Sequence, residues 1–352
     1  MLSNADLAEI LALQADTETS ATRQRALKRA ARSAFLWPEE AAQLLSTGRS
    51  LTELHGVGPF VAEHLRGWID NPPARDETHD VRREGFLTLA EARSILSRDV
   101  SWQQRLRGDL HMHTVWTDGS GTVMEMAEAG KEAGYEYVAL TDHSKGLKIA
   151  GGIDEAQLAE QGAEIARANE TLRADGITVL RSIELNINPR GEGDMEQTSL
   201  DALDLVLGSF HSALRSQEDQ TDRYLAALRN PTLHVLGHPR GRVYNYRAGL
   251  TADWSRMFAE AQRLDKAVEI DCYPDRQDLN VDLLKLARDA GTRVALGTDS
   301  HHAWQLAFIE LGLAAALEAG IPAERIINFM PLRELHDWVR GLRAAAKASA
   351  AT

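Results

Sequence analysis

Residues 109–119 read DLHMHTVWTDG. A short apolar run ends in two histidines, His111 and His113, one residue apart. On a strand, residues i and i+2 point to the same side, so both imidazoles can reach one ion. Asp118 follows just before Gly119, where the chain can turn. Two neutral imidazoles and a hard carboxylate suit a borderline divalent ion such as zinc or manganese. Two histidines at an exposed strand end are the plainer alternative, and the rest of the chain decides between the two.

Downstream, strand-like and helix-like stretches alternate. The strand-like runs are Asp109–His113, Tyr137–Thr141, Thr178–Ile183, Leu203–Ser209, Leu233–Leu236, Ala267–Ile270 and Arg293–Leu296. Helical periodicity separates them, clearest at Val123–Ala133, Glu155–Leu172, Asp219–Leu228, Ala252–Leu264 and Val281–Ala290. This alternation predicts an α/β fold with a parallel sheet, and seven units predict a barrel-like closure.

Active sites of such barrels lie at the C-terminal ends of the strands. Histidine and acidic residues fall there repeatedly: His111, His113 and Asp118, then Asp142 and His143, Glu184, His211, His238, and finally Asp299 and His301. The sixth run ends in Glu269-Ile270-Asp271, with no evident role. Three carboxylates (Asp118, Glu184, Asp299) and six imidazoles exceed the needs of one ion, so two or three are expected, with Glu184 placed to bridge. Close metal pairs activate water and offset charge at phosphorus, so phosphoester hydrolysis needs no separate strong base. A closed structural zinc site would be richer in cysteine. His55, His64, His79, His234, His302 and His336 fall off the pattern and read as surface or packing residues.

The chain has 352 residues, a net charge of −13 and one cysteine, Cys272. The acidic balance disfavours nonspecific affinity for polyanions. A single cysteine excludes an intramolecular disulfide and fits a reducing cytoplasm. No run approaches the ~18 apolar residues of a membrane span, and the N-terminus lacks a signal-peptide pattern.

Residues 1–72 read as a small helical domain. Arg23–Arg32 holds five basic residues and no acidic one, with Arg25, Lys28 and Arg29 as candidate phosphate contacts. A turn at Gly56-Val57-Gly58 precedes a helix opening at Pro59. Proline suits a first helical position, glycines permit close backbone approach, and free amides at a helix start favour phosphate. Residues 73–105 read as a linker with one helix over 88–97, residues 106–340 as the barrel, and the alanine-rich 341–352 as a frayed tail.

These residues resemble the polymerase-and-histidinol-phosphatase (PHP) family of metallophosphoesterases, through DLHMHTVWTDG, LTDHS (140–144), SIEL (182–185), SFHS (209–212), LGHP (236–239) and TDSH (298–301). The resemblance implies a distorted seven-stranded barrel with a trinuclear centre of manganese, zinc or iron. It implies that His111, His113, Glu184 and Asp299 hold one ion, Glu184, His211 and His238 a second, and Asp118, His143 and His301 a third. Within the family, GHPRGR, EIDCYPDRQDLN and TDHSKGLKIAGGID resemble the branch fused to bacterial family X DNA polymerases. RQRALKRAARSA followed by LTELHGVG resembles their N-terminal lyase-like domain with its helix-hairpin-helix. A polymerase palm should lie between these parts, and only some thirty residues are there, so polymerisation is not expected. The implied activity is 3′-to-5′ exonuclease action or processing of DNA 3′ ends and gaps. Glu184, Lys145 and Arg240 are the expected catalytic residues, with Lys145, Arg240 and Arg242 clamping the substrate phosphate. Tyr273 and Arg276 line the pocket, and Asp142 orients a ligand. A small-molecule phosphatase would use the same centre without the N-terminal domain. An amidohydrolase would carry a lysine at position 184, and a noncatalytic DNA-binding module would not keep every ligand.

Overall fold

The computed structural model describes residues 2–73 and 80–350, in two compact units, Met1–Asp99 and Val100–Thr352. The first unit holds α1 (Asn4–Thr17), α2 (Ala21–Ala34), α3 (Ala41–Ser46), α4 (Pro59–Asp70) and α5 (Leu89–Leu96). Ser3 and Asp6 cap the start of α1 reciprocally, satisfying two amides that the helix leaves unpaired. α2 buries Leu27, Ala30, Ala31 and Ala34 and leaves Arg25, Lys28 and Arg29 exposed. The expected linker is corrected over residues 80–99, which belong to this unit. Phe86 packs edge-on against Phe35, centroids 6.4 Å apart, Leu89 N donates to the Phe35 carbonyl at 2.8 Å, and Arg83 pairs with Glu9 at 3.2 Å. Residues 74–79, His79 among them, lie outside the described residues.

The hairpin also differs from expectation. Only one 3₁₀ turn, Leu51–Glu53, precedes it. Val57 is buried. Gly56 has φ of +78°, and a Cβ there would meet Ser33 Oγ at 2.7 Å, so the close approach it permits is to α2. Gly58 caps α4 without a side-chain bond, and a Cβ on it would meet nothing within 4 Å.

The second unit alternates β1 (Gly108–Met112), β2 (Tyr137–Leu140), β3 (Thr178–Arg181), β4 (Glu184–Asn186), β5 (Leu207–Ser209), β6 (Val235–Leu236), β7 (Ala267–Asp271) and β8 (Arg293–Gly297) with helices. These are α6 (Ser101–Arg105), α7 (Val123–Glu132), α8 (Glu155–Leu172), α9 (Gln197–Asp201), α10 (Thr221–Arg229), α11 (Trp254–Arg263), α12 (Val281–Ala290), α13 (Ile309–Ala319) and α14 (Leu332–Ala350). All strand pairs are parallel, in the orders β1-β2-β3 and β4-β5-β6-β7-β8. The third expected strand, 178–183, thus ends at Arg181 as β3, and a further strand, β4, opens after it at Glu184. Parallel bridges Met112–Ser300 and His143–Glu184 join the two sheets. The Asn328 carboxamide staples β1 to β8, donating to the Gly108 and Leu296 carbonyls at 2.9 and 2.8 Å and accepting from Leu296 N at 2.7 Å.

Strand pleating divides the side chains. On β2, Tyr137 and Ala139 join a core with Leu180, Leu207, Val235, Ala267 and Ala295, while Val138 and Leu140 face a second cluster with Ile165 and Ala168 of α8. Leu335, Trp338, Val339 and Leu342 of α14 plug the first core. The frayed tail expected for 341–352 is corrected accordingly: Leu342 is buried, Arg343 donates to the Leu203 carbonyl at 2.7 Å, and the helix runs to Ala350. Among the described residues, no helix is long and apolar enough to cross a membrane.

Candidate metal centre

The strand ends converge on Glu184, the first residue of β4 and 1% exposed. Its Oε1 lies 2.7 Å from His238 Nε2 and 3.1 Å from His211 Nε2. Its Oε2 lies 2.6 Å from His143 Nδ1, 3.7 Å from His111 Nε2 and 3.8 Å from His113 Nε2. Each oxygen therefore serves a different set of imidazoles, the arrangement that bridging requires. His113 Nε2 is 3.0 Å from Asp299 Oδ1 and 3.3 Å from His111 Nε2. Asp118 Oδ1 is 3.4 Å from His301 Nε2 and 3.5 Å from His143 Nε2.

All nine expected ligands are thus brought together. Three groups have their donor atoms within 4.8 Å of one another: His113, Asp118, His143 and His301; His111, His113 and Asp299; and His143, Glu184 and His211. The allotment differs from the implied one: His113 and His143 are each shared between two groups, Glu184 falls in one group only, and His238 falls in none.

The cluster fits divalent ions. His113 Nδ1, His143 Nδ1 and Glu184 Oε2 are buried without a hydrogen-bond partner; the 2.6 Å approach of the last two is poorly directed for one. Buried polar atoms are rarely left so, and a set made only of imidazoles and carboxylates suits zinc, manganese or iron. Burial works against ionised Glu184, yet the His143 and His211 imidazoles hold its carboxyl well below the usual range. Asp299 is held down likewise by Arg276 and His111.

A second layer positions these ligands. Glu269, inside β7 and fully buried, sits 2.7 Å from His111 Nδ1 and accepts from His238 N at 2.5 Å. A carboxylate can only accept, so the proton sits on Nδ1, and Nε2 keeps its lone pair towards the cluster. Sequence reading left Glu269 without a role; an acidic residue between the apolar Val268 and Ile270 was the available signal. A Cβ on Gly297 would meet Glu269 Oε1 at 2.2 Å and His111 Cβ at 2.5 Å, so a glycine is required beside them. Asp142, expected to orient a ligand, is held among loop residues instead of touching one. It accepts from Thr114 N and Oγ1 at 2.8 and 2.7 Å, Thr117 Oγ1 at 2.6 Å and Gln161 Nε2 at 2.6 Å, fixing the loop that carries Asp118.

The expected phosphate clamps fare unevenly. Arg242 is corrected: it is 3% exposed and spends its guanidinium on the Arg276 and Gln277 carbonyls, both at 2.7 Å. Arg240 donates to the Ala248 carbonyl at 2.6 Å, and Lys145 pairs with Glu155 at 2.6 Å. Arg276 reaches the centre itself, through an ion pair with Asp299. Cys272 is a free, buried cysteine.

Comparison with known proteins agrees with this geometry. Residues 109–273 match the family described as PHP domain. The Bacillus subtilis DNA polymerase/3′-5′ exonuclease PolX is 32% identical over 237 residues, 67% of this chain and 41% of that protein. This chain therefore spans less than half the length of that relative. The Escherichia coli protein named "Probable phosphatase YcdX" is 29% identical over 65% of this chain and 92% of its own length. A histidinol phosphate phosphatase from Lactococcus lactis, solved with zinc, L-histidinol and phosphate, aligns with a TM-score of 0.48 and 18% identity over 61% of this chain and 94% of its own. Residues 109–273 form a PHP domain.

Proposed function

We propose that this enzyme hydrolyses phosphodiesters at DNA 3′ ends through two or three divalent ions held by the nine clustered ligands. The observation that carries the phosphoesterase chemistry is Glu184, whose two oxygens face separate imidazole sets. The bound ions would activate water and offset charge on phosphorus. The chain's own residues orient the donors: Glu269 fixes the His111 tautomer, Asp142 fixes the Asp118 loop, and Arg276 holds Asp299. DNA as substrate is supported by the exposed Arg25, Lys28 and Arg29 on α2 and by likeness to a relative named as a 3′-5′ exonuclease. Phosphate contacts of this kind position a protein without reading sequence.

A second reading, hydrolysis of a small phosphomonoester, is favoured by the likeness to a relative named as a phosphatase, matched over nearly its whole length. A substrate panel separates the two. Recessed, gapped and single-stranded DNA are assayed beside small phosphomonoesters, with and without manganese. The DNA reading expects higher kcat/KM on 3′ ends, and Glu184→Gln should lose both metal and turnover while staying folded. Turnover of phosphomonoesters alone would refute it.

A further inference from the structure

Trp304 is 63% exposed, although it lies three residues after His301, in the 3₁₀ helix Ala303–Phe308. Most exposed large apolar residues described in the second unit follow strand ends. Among the described residues, Val115, Ile149, Tyr246 and Trp304 follow β1, β2, β6 and β8, at the ligand-bearing end; the two others, Val100 and Leu286, lie elsewhere. A scatter of surface residues would not favour one face of a barrel.

Trp304 is also braced. Its ring meets Phe308 edge-on at 5.4 Å, and Phe308 meets Tyr273 edge-on at 5.3 Å. The Arg276 guanidinium carbon lies 5.5 Å from the Tyr273 ring centre, and Arg276 pairs with Asp299. An aromatic ladder therefore runs from the surface to a ligand of the centre. The exposed His302 ring faces Trp304, tilted by only 24° with centroids 6.4 Å apart. Ser120 fixes the His302 ring, and the Gln305 side chain accepts from the His301 and His302 amides at 2.7 and 3.0 Å. The segment that follows His301 thus holds two planar faces on the surface, linked by ring contacts to a residue that pairs with Asp299.

We propose that Trp304, with His302, forms a stacking subsite for the nucleobase of the substrate's 3′-terminal nucleotide. The inference rests on the DNA reading above and deepens it. Every base has a π-face, so a ring platform holds nucleotides without choosing among them. That suits a site whose other contacts are to phosphate. A phosphomonoester without a planar group would gain nothing from it.

The test pairs two single-stranded oligonucleotides, one with an ordinary 3′ nucleotide and one whose 3′ residue is abasic, against wild type, Trp304→Ala and Trp304→Phe. Stacking of one base is typically worth about tenfold or more in such comparisons. Wild type should prefer the base-bearing end by roughly that factor. In Trp304→Ala the preference should fall towards one, and Trp304→Phe should restore most of it. Metal content, measured for each variant, should stay at the wild-type level. An equal loss on both ends in Trp304→Ala would mark a merely structural residue and overturn the subsite, as would an undiminished preference. Wild type that turns over neither oligonucleotide, yet hydrolyses a small phosphomonoester, would overturn the DNA reading and the nucleobase subsite with it.

Discussion

Replacing Glu269 by glutamine tests whether the layer behind the ligands governs metal binding. The carboxylate holds two N–H groups at once, His111 Nδ1 at 2.7 Å and the His238 amide at 2.5 Å. Glutamine keeps a single acceptor oxygen, so one of these groups must face an amide N–H or go unpaired. A hydrogen bond to a charged group contributes about 1.5–3 kcal/mol. Loss of such outer partners typically costs 10–100-fold in metal affinity, about 1.4–2.8 kcal/mol on the affinity scale. The two estimates agree, so metal affinity should fall by one to two orders of magnitude. The same unpaired buried group should lower the melting temperature by only a few degrees in a unit this large. Competition between the protein and a manganese chelator reads affinity without any substrate, and a thermal melt checks the fold. Glu269→Gln with affinity within twofold of wild type, and still folded, would refute the claim that Glu269 fixes the ligands.

Arg242→Ala should act on stability rather than on KM. Its guanidinium is turned onto backbone carbonyls, and leaving them unpaired should cost about 2–4 kcal/mol in denaturant unfolding. In the hairpin, Gly56→Ala should destabilise by about 1–2 kcal/mol or more, since its φ is +78° and Ser33 blocks a Cβ. Gly58→Ala should cost under about 1 kcal/mol, so a fall in DNA affinity there reports the proposed backbone grip; no fall on a binding titration counts against it. Replacing Arg25, Lys28 and Arg29 together by alanine should reduce the salt slope of DNA binding by about three. Burial pushes the Lys266 amine down to about 7. The unfolded chain therefore holds this proton up to about pH 10.4 while the folded one has released it, so stability rises with pH between those values. Lys266→Met should flatten that part of the pH profile in thermal melts.

The clustering of the nine residues was legible because strand ends place chemistry predictably: the first residues after each apolar run face one end of such a fold. The layer behind them was not. Glu269 lies within a strand, and nothing local tells that its carboxylate meets His111, which precedes it by 158 residues. The loop cations misled for a related reason. Position beside a ligand made Arg242 look like a clamp, whereas backbone carbonyls of the next crossover capture it. The tail was legible and misread. Leu335, Trp338, Val339 and Leu342 keep helical spacing, but the alanines after them suggested fraying. Gly56 shows that a glycine in a hairpin can serve packing within the protein as readily as approach to a partner.

The Asn328 staple across β1 and β8 has a consequence for how the enzyme comes into being. His113 and Asp299, 3.0 Å apart in the finished molecule, are 186 residues apart along the chain. At ordinary rates of synthesis, about 5–20 residues per second, the first histidines wait roughly 10–40 s for their partner carboxylate, and Asn328 emerges later still. During that interval the nascent protein exposes a partial set of imidazoles and an unsealed strand edge, open to the wrong ion and to the wrong neighbour. Correct loading of the centre is therefore tied to the joining of β8 to β1, and ions that bind only the full set will find it only after the last strand is in place.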